Sequence, residues 1–220
     1  MKKGVVVLGY SLKEQNWEYT IWGEPPNKPG RVVTGTAVVL EESCELMIIS
    51  GGATEREGKS EAWWMKEYLY ERLETLKEFQ IYSVFQKFTT AEIKKKLDET
   101  LCLEEESRNT RENFINSGKI LSEAGIGMGI VVTSGDHISR AHRDAQLYWR
   151  DYAGIVYICG IASYTLYSFK SGYEDIAKIE NVVIAEPPVA KKINLARVLN
   201  LRDNPEAIAE IDKILRKFGQ

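Results

Sequence analysis

The stretch 126–141 constrains the fold of this chain more than any other part of the sequence. Residues 126–133 form an apolar, β-branched run, which is typical of a buried parallel strand. The run ends at Ser134 and Gly135 and passes directly into a charged segment that is compatible with a helix. The pattern therefore predicts a strand, a tight turn and the first turn of a helix.

The predicted turn is a candidate binding site for an anion. The backbone N–H groups that open a helix have no intrahelical partner, and the helix dipole is positive there. Ser134 adds a hydroxyl group, while His137 and Arg140 add hydrogen-bond donors and positive charge. A structural alternative stays open, in which Ser134 or Asp136 only caps the helix and Arg140 pairs with Asp144 one turn further on.

Two other apolar runs, 4–10 and 46–52, have the same form. Each reaches glycine at or near its end, as strands of a buried parallel sheet often do. The segment 11–30 between them is rich in Trp, Pro and Gly and is interpreted as a loop. Further strands are predicted at 80–88, 155–160 and 182–185, and helices at 31–42, 61–79, 89–100, 109–124, 137–152 and 205–218.

Local signals mark where several of these helices begin. Ser60 is a predicted N-cap, Thr89 and Glu92 have the pattern of a capping box, and Asn109 with Glu112 repeats it. The helix at 61–79 has an apolar stripe that is expected to face the core. This stripe consists of Met65, Leu69, Leu73 and Leu76.

Strands and helices alternate along the chain, which favours an open three-layer α/β sheet with mostly parallel strands and helices on both faces. We expect a Rossmann-like fold that forms one domain over residues 1–220. Ligands of such folds bind beyond the carboxyl ends of the strands. The loops after Gly9, Gly52, Glu106 and Ser134 are therefore expected to converge around one crevice.

Composition and charge argue against several partners. The chain of 220 residues has a net charge of −3, which does not suit a general nucleic-acid-binding protein. Cys44, Cys102 and Cys159 are far apart and form no Cys-x-x-Cys pair, so neither a zinc site nor a disulfide framework is predicted. No signal peptide or membrane span is recognised, and we expect a cytoplasmic protein. The helix at 205–218 either covers the domain or joins two copies in a homodimer.

A series of short motifs follows the predicted strand ends in order. It consists of Leu8-Gly9, Arg31 ahead of a helix, Ile49-Ser50-Gly51-Gly52, Ser60-Glu61-Ala62, residues 106–113, and Val132-Thr133-Ser134 followed by His137 and Arg140-Ala141. In this order the motifs resemble the YdcF/SanA/ElyC-like family, a domain of unknown function, over about residues 4–152. The resemblance implies a Rossmann-like α/β fold with polar residues around a common pocket. Residues 153–220 would then be an extension that completes the fold.

The resemblance and the strand-end loops together predict which residues bind a ligand. Members of the family have been linked to S-adenosylmethionine binding and, in bacteria, to envelope and lipid-carrier metabolism. The predicted ligand-binding residues are Gly9, Arg31, Ser50, Gly51, Gly52, Ser60, Ser107, Asn109, Thr110, Asn113, Thr133, Ser134 and Arg140.

Two classes of function follow from this set. The first is an enzyme that acts on a phosphorylated or nucleotide-like small molecule, with Glu61, Glu106 and His137 as the candidates for proton transfer. The second is a module that binds or senses a nucleotide or S-adenosylmethionine without turning it over. No Gly-x-Gly-x-x-Gly turn follows the first strand, so neither a dinucleotide-binding nor a typical methyltransferase signature is present.

A resident metal site is not predicted. His137 and His142 are the only histidines, and their spacing does not place them on one face of a helix. A divalent cation that arrives with a phosphate and is held by Glu61, Glu106 or Asp136 stays open as a cofactor, as does S-adenosylmethionine.

Overall fold

A five-stranded parallel sheet forms the core of the computed structural model, which describes residues 1–150, 152 and 154–165. The strands are β1 (Lys3–Leu8), β2 (Leu46–Ser50), β3 (Leu101–Glu104), β4 (Met128–Ser134) and β5 (Tyr157–Ser163). Their order in the sheet is β3-β2-β1-β4-β5, and each neighbouring pair is parallel. The strand predicted at 182–185 and the helix predicted at 205–218 lie outside the described residues.

Helices cover both faces of this sheet. Within the described residues they are α1 (Trp17–Ile21), α2 (Arg31–Glu41), α3 (Glu61–Glu71), α4 (Thr90–Thr100), α5 (Thr110–Glu123) and α6 (Ile138–Trp149). Helices α1 to α4 contribute to the core on one face, and α5 and α6 to the core on the other. The predicted three-layer Rossmann-like α/β fold is confirmed. None of the described helices combines the length and apolar character needed to cross a membrane.

Strand β1 shows why its sequence is apolar throughout. Val5 and Val7 point into the core beneath α2 and α3, whereas Val6 and Leu8 belong to the core that contains Trp149 of α6. Successive side chains of a strand point to opposite faces, so a strand covered on both sides has no solvent-facing positions.

The three predicted helix caps are confirmed. The Ser60 hydroxyl accepts a hydrogen bond from the backbone N–H of Trp63 at the start of α3. Thr89 and Glu92 form a reciprocal capping box before α4. The Asn109 side chain accepts from a backbone N–H in the first turn of α5.

Several predictions differ from the structure, and the segment 11–30, predicted as a loop, contains α1. The helix that begins at Glu61 ends at Glu71, and a 3-10 helix, Leu73–Glu78, follows it, although all four residues of the predicted stripe are buried. The strand predicted at 80–88 is wrong, because this segment contains a 3-10 helix at Ser83–Gln86. Tertiary packing explains the error, since Val84 and Phe85 are both buried against the core beneath α2. The pattern assigns no element to 101–104, where the structure has β3.

Strand β5 is an edge strand of the described sheet. The predicted strand, at 155–160, begins two residues too early, and the structure has Tyr157–Ser163. The apolar run 155–160 also predicts that this strand is buried, which is wrong, because Val156 and Tyr157 are 71% and 56% exposed. An apolar run bounded by glycine does not distinguish a central strand from an edge strand.

The register of the strands aligns their carboxyl ends. Leu8 lies opposite Ser50, and Ser50 lies opposite Glu104. Backbone bonds continue past the strands, since the Gly9 N–H donates to the Ser50 carbonyl at 2.8 Å and the Gly51 N–H donates to the Glu104 carbonyl at 3.0 Å. The polar residues that end the strands are therefore held side by side along one edge.

Candidate functional site

The candidate site lies where β1 and β4 are neighbours. From β1 the chain continues to β2 on one side of this pair, and from β4 it continues to β5 on the other side. Ligands of open α/β sheets bind in the crevice at such a reversal, beyond the carboxyl ends of the strands. Gly9 follows β1 and Ser134 ends β4, so these two predicted residues lie at adjacent strand ends.

Arg31 joins the two strand ends. It is the first residue of α2 and is fully buried. Its Nε donates to the Ser134 hydroxyl at 3.0 Å, and its Nη1 donates to the carbonyl oxygens of Leu8, at 3.0 Å, and Gly9. The ring of Tyr10 lies 5.6 Å from its Cζ. The guanidinium group therefore fixes the exit of β1 to the exit of β4 and makes the crevice positively charged.

His137 occupies the N-cap position of α6 and is only 6% exposed. Arg140 Nη2 lies 2.7 Å from His137 Nε2, and Thr133 Oγ1 lies 3.2 Å from Nδ1. Because a guanidinium group has donors only, Nε2 is the acceptor in this contact, and a neutral ring then carries its hydrogen on Nδ1. His137 thereby connects Arg140 to the end of β4.

The electrostatics of the site keep this imidazole neutral. Burial lowers the pKa of His137 well below its ordinary value of 6.5, and the positive charges of Arg31 and Arg140 lower the pKa further. Two permanent cations thus surround an uncharged ring. An anion that enters this site meets favourable charge and hydrogen-bond donors.

Arg140 is the half-buried cation of the site. The structural alternative pairs it with Asp144, but Asp144 pairs with the exposed Arg143, at 2.6 Å. Helix α6 has His137, and neither Ser134 nor Asp136, at its N-cap position. The Nε atom of Arg140 is buried and has no hydrogen-bond partner among the described residues.

Glu61, a predicted catalytic residue, opens α3 and is 3% exposed. Its Oε1 accepts from the backbone N–H of Tyr10 at 2.6 Å and from the indole N–H of Trp17 at 2.7 Å. Burial raises the pKa of Glu61, although these two bonds and the charge of Arg31 act in the opposite direction. A Cβ atom on Gly9 would lie 2.7 Å from Oε2. Glu61 therefore supports the loop after β1 and lies on the other side of Gly9 from Arg31.

Glu104 is a buried carboxylate that the sequence argument does not single out. It ends β3, and its Oε2 accepts from the Ser50 hydroxyl at 2.5 Å. Its Oε1 accepts from the backbone N–H groups of Glu106 and Ser107 and from Asn116 Nδ2, each at 2.9 Å. The sequence argument misses Glu104 because it does not recognise β3. If 101–103 is taken as a strand, Glu104 follows it as Ser50 and Ser134 follow the apolar parts of β2 and β4.

Three predicted ligand-binding residues, Gly51, Gly52 and Ser107, take part in backbone hydrogen bonds between the loops after β2 and β3. The Gly52 N–H donates to the Ser107 carbonyl at 3.1 Å, beside the bond from Gly51 to Glu104. Ser107 is fully buried, and its hydroxyl has no hydrogen-bond partner within the described ranges.

The remaining predicted residues lie at helix starts. Glu106, a predicted candidate for proton transfer, is exposed, whereas Glu104 is the buried carboxylate at this strand end. Ser60 caps α3 and donates to Glu105, while Asn109 is exposed and caps α5. Thr110 and Asn113 are half-buried in the first turn of α5. Among the described residues, no hydrogen bond or ion pair joins these five residues to Arg31 or His137.

The described part of the chain contains no group of three or more His, Cys, Asp or Glu side chains that is arranged to hold a metal ion. Its three cysteines are free thiols, of which Cys44 is buried and Cys159 exposed. The site is therefore defined by hydrogen-bond donors, with Arg140 as its most accessible cation.

No family model matches this chain, and no curated protein or solved structure matches it either. The resemblance to the YdcF/SanA/ElyC-like family stays a prediction that depends on the separated motifs. The geometry of the site is consequently the main guide to function.

Proposed function

We propose that this protein binds a small phosphorylated or nucleotide-like anion at Arg140 and His137, at the carboxyl edge of the sheet, and acts on it as an enzyme. The observation that carries the proposal is the environment of Arg140. Its guanidinium group faces a neutral imidazole in place of a carboxylate, and its buried Nε lacks a partner among the described residues. Buried cations are normally paired, so an anion from solution is the natural partner.

The neighbouring residues have distinct roles in this proposal. Arg31 supplies a second positive charge, and its Nε and Nη1 atoms donate to Ser134, Leu8 and Gly9, which shapes the crevice. His137 is the group for proton transfer, because it is held on two sides and is neutral at physiological pH. Glu61 holds the loop after β1 in place, and its raised pKa makes it the second candidate for proton transfer.

The alternative is a binding or sensing module without turnover. One observation favours it: the bonds of Glu61 go to Tyr10, Trp17 and Thr54, all within the protein. A carboxylate used in this way organises a binding loop without taking part in chemistry. Nucleotides fit the positive site better than S-adenosylmethionine, whose sulfonium group is itself a cation.

A thermal-shift screen tests the binding step. The wild-type protein and the Arg140→Ala variant are titrated with phosphate, pyrophosphate, nucleotides, sugar phosphates, prenyl phosphates and S-adenosylmethionine. A ligand at about a hundred times its dissociation constant adds ~2.7 kcal/mol, which shifts the melting temperature of a chain of this size by several degrees. We expect an anion to shift the wild type and not Arg140→Ala.

Arg143→Ala is the matched control, since it removes the same charge from the exposed side of the same helix. A shift that Arg143→Ala also abolishes would indicate a general charge effect and contradict the site. With a ligand identified, Glu61→Gln separates the two functions, because the printed bonds of Glu61 go to Tyr10, Trp17 and Thr54 and not to Arg140 or His137. An enzyme loses turnover while it retains binding, whereas a sensing module has no turnover in any variant.

A further inference from the structure

The contact between Arg140 and His137 restricts the kind of anion that the site accepts. The Nε and Nη2 atoms of an arginine lie on one edge of its planar guanidinium group, and oxyanions bind such an edge through two parallel hydrogen bonds. In this structure Nη2 donates to His137 Nε2, and Nε is the buried atom without a partner in the described ranges. In the free protein, Nη2 therefore has an acceptor and Nε has none among the described residues.

Nη2 has two hydrogens, of which one points along this edge, and an anion that binds both atoms of the edge takes the place of the imidazole where the imidazole accepts that hydrogen. One of its oxygens then faces His137 Nε2, which carries a lone pair when the ring is neutral. The contact is repulsive unless Nε2 gains a proton, since Nδ1 already carries the hydrogen that faces Thr133. Two-point binding at Arg140 therefore couples to protonation of His137.

We infer that the anion is a dianionic phosphate monoester, held between both edge atoms of Arg140 and a protonated His137 whose direct contact with Arg140 it replaces. The proton comes from solvent and resides on Nε2. This inference rests on the proposed function, because it specifies the ligand of the same site.

The charges that face His137 explain why two negative charges are needed. Among the described groups, Arg31 approaches His137 from α2 and Arg140 from α6, while Thr133 of β4 contributes a hydroxyl group. These two cations also depress the pKa of His137 in the free protein. A monoanion offsets one positive charge, whereas a dianion offsets the charges of Arg140 and of the new imidazolium together.

Nuclear magnetic resonance of the two histidines tests whether His137 gains a proton when an anion binds. Sulfate is the probe, because it is a dianion that takes up no proton of its own near neutral pH. The chain has two histidines, and the His137→Gln variant identifies the signal of His137 by its loss. We expect saturating sulfate to raise the pKa of His137, and the dissociation constant of sulfate to fall about tenfold per pH unit as the pH drops between the pKa of the free and the bound form.

The matched ligands are methyl phosphate and dimethyl phosphate, which differ by one methyl group and one negative charge. At pH 7.5 the monoester is mostly dianionic, because its second pKa is about 6. We expect it to bind roughly tenfold or more tightly than the diester, the effect of one charge-assisted hydrogen bond. Arg140→Lys keeps the charge and lacks the two-atom edge, so in this variant sulfate should no longer raise the pKa of His137.

The outcomes separate this inference from the proposed function. If no anion stabilises the protein, both are overturned. Anions that bind through Arg140 while the pKa of His137 stays constant, or a diester that binds as tightly as the monoester, would overturn the inference and leave the proposed function standing.

Discussion

The carboxyl edge of the sheet has two halves that use charge in opposite ways. The acidic half, beyond β3 and β2, consists of Glu104, Ser50 and Glu61. The basic half, beyond β1 and β4, consists of Arg31, His137 and Arg140. The carboxylates of Glu104 and Glu61 accept two and one backbone N–H groups, respectively, from the loops next to them. Arg140, by contrast, donates to a neutral ring.

We propose that this difference separates residues that maintain the structure from residues that bind the ligand. A buried carboxylate is stable when protein donors surround it, and the acidic half supplies such donors from nearby backbone and from Ser50 and Asn116. A guanidinium group has five N–H donors, and its strongest hydrogen bonds go to negatively charged acceptors. The basic half provides hydroxyl and carbonyl oxygens and an imidazole, but the described residues offer no carboxylate to Arg140. The acidic half thus maintains the shape of the site, whereas we propose that Arg140 and His137 of the basic half bind the ligand.

The largest expected effect comes from Glu104→Ala, which tests whether the acidic half is framework. The substitution leaves the N–H groups of Glu106 and Ser107, Asn116 Nδ2 and the Ser50 hydroxyl without their acceptor. We expect a loss of about 3–5 kcal/mol in the free energy of unfolding, measured by urea denaturation.

Its control is Glu106→Ala, a change to an exposed carboxylate two residues away. This variant should stay within about 0.5 kcal/mol of the wild type. Equal stability of the Glu104 and Glu106 variants would contradict a framework role for Glu104.

Gly9→Ala probes the boundary between the halves. The new Cβ would lie 2.7 Å from Glu61 Oε2 and 2.8 Å from its Cδ, so the loop after β1 or the carboxylate must shift. We expect a cost of about 1–3 kcal/mol, as for other overpacked positions. Gly51→Ala is the control, because its Cβ would lie 3.5 Å from the same carboxylate, which is an ordinary contact. Similar melting temperatures for the two variants would show that Glu61 is not packed as described.

Glu61 in the acidic half and His137 in the basic half should change the free energy of unfolding with pH in opposite directions. The pKa of Glu61 is raised above its ordinary 4.5, so the folded protein binds that proton more tightly than the unfolded chain and loses stability as the pH rises from 4.5 through the folded pKa. The pKa of His137 is lowered, so its contribution is present above 6.5 and is lost as the pH falls through the folded pKa. The free energy of unfolding, measured by urea denaturation from pH 4 to 8, should no longer fall with rising pH above 4.5 in Glu61→Gln. In His137→Gln it should no longer fall with decreasing pH below 6.5. A variant that alters the other residue's slope would mean that the halves are electrostatically coupled.

The basic half is largely predictable from the sequence, and so are Ser50 and Glu61 of the acidic half, but Glu104 is not. Ser134, His137 and Arg140 follow a long apolar run directly, and a parallel strand that ends in polar residues is a strong signal. The sequence also predicts the parallel sheet and three helix caps, because both depend on local patterns. What it cannot supply is the partner of each side chain. The bond from Arg31 to Ser134 spans 103 positions along the chain, and no local pattern encodes it.

Glu104 shows the limit most clearly. The apolar part of β3 is only Leu101-Cys102-Leu103, and it directly follows a charged helix, so the periodicity is too short to predict a strand. Without this strand the sequence does not distinguish three consecutive glutamates, and it favours the exposed Glu106 over the buried Glu104. Only the position of β3 beside β2 distinguishes them, because it places Glu104 against Ser50.

The smallest expected effect is that of Ser107→Ala, and it sharpens the comparison within the acidic half. The Ser107 hydroxyl is fully buried and lacks a partner among the described residues, whereas its backbone N–H and carbonyl are both bonded. Its removal should be neutral or stabilising by up to about 0.5 kcal/mol, because a buried polar group without a hydrogen bond opposes folding. Ser50→Ala, which deprives Glu104 Oε2 of its donor, should cost about 1–3 kcal/mol. Thermal melts of both variants test the difference. A destabilised Ser107→Ala would mean that the hydroxyl has a partner after all, and an ordered water molecule between Ser107 and Glu104 would then be the first group to seek.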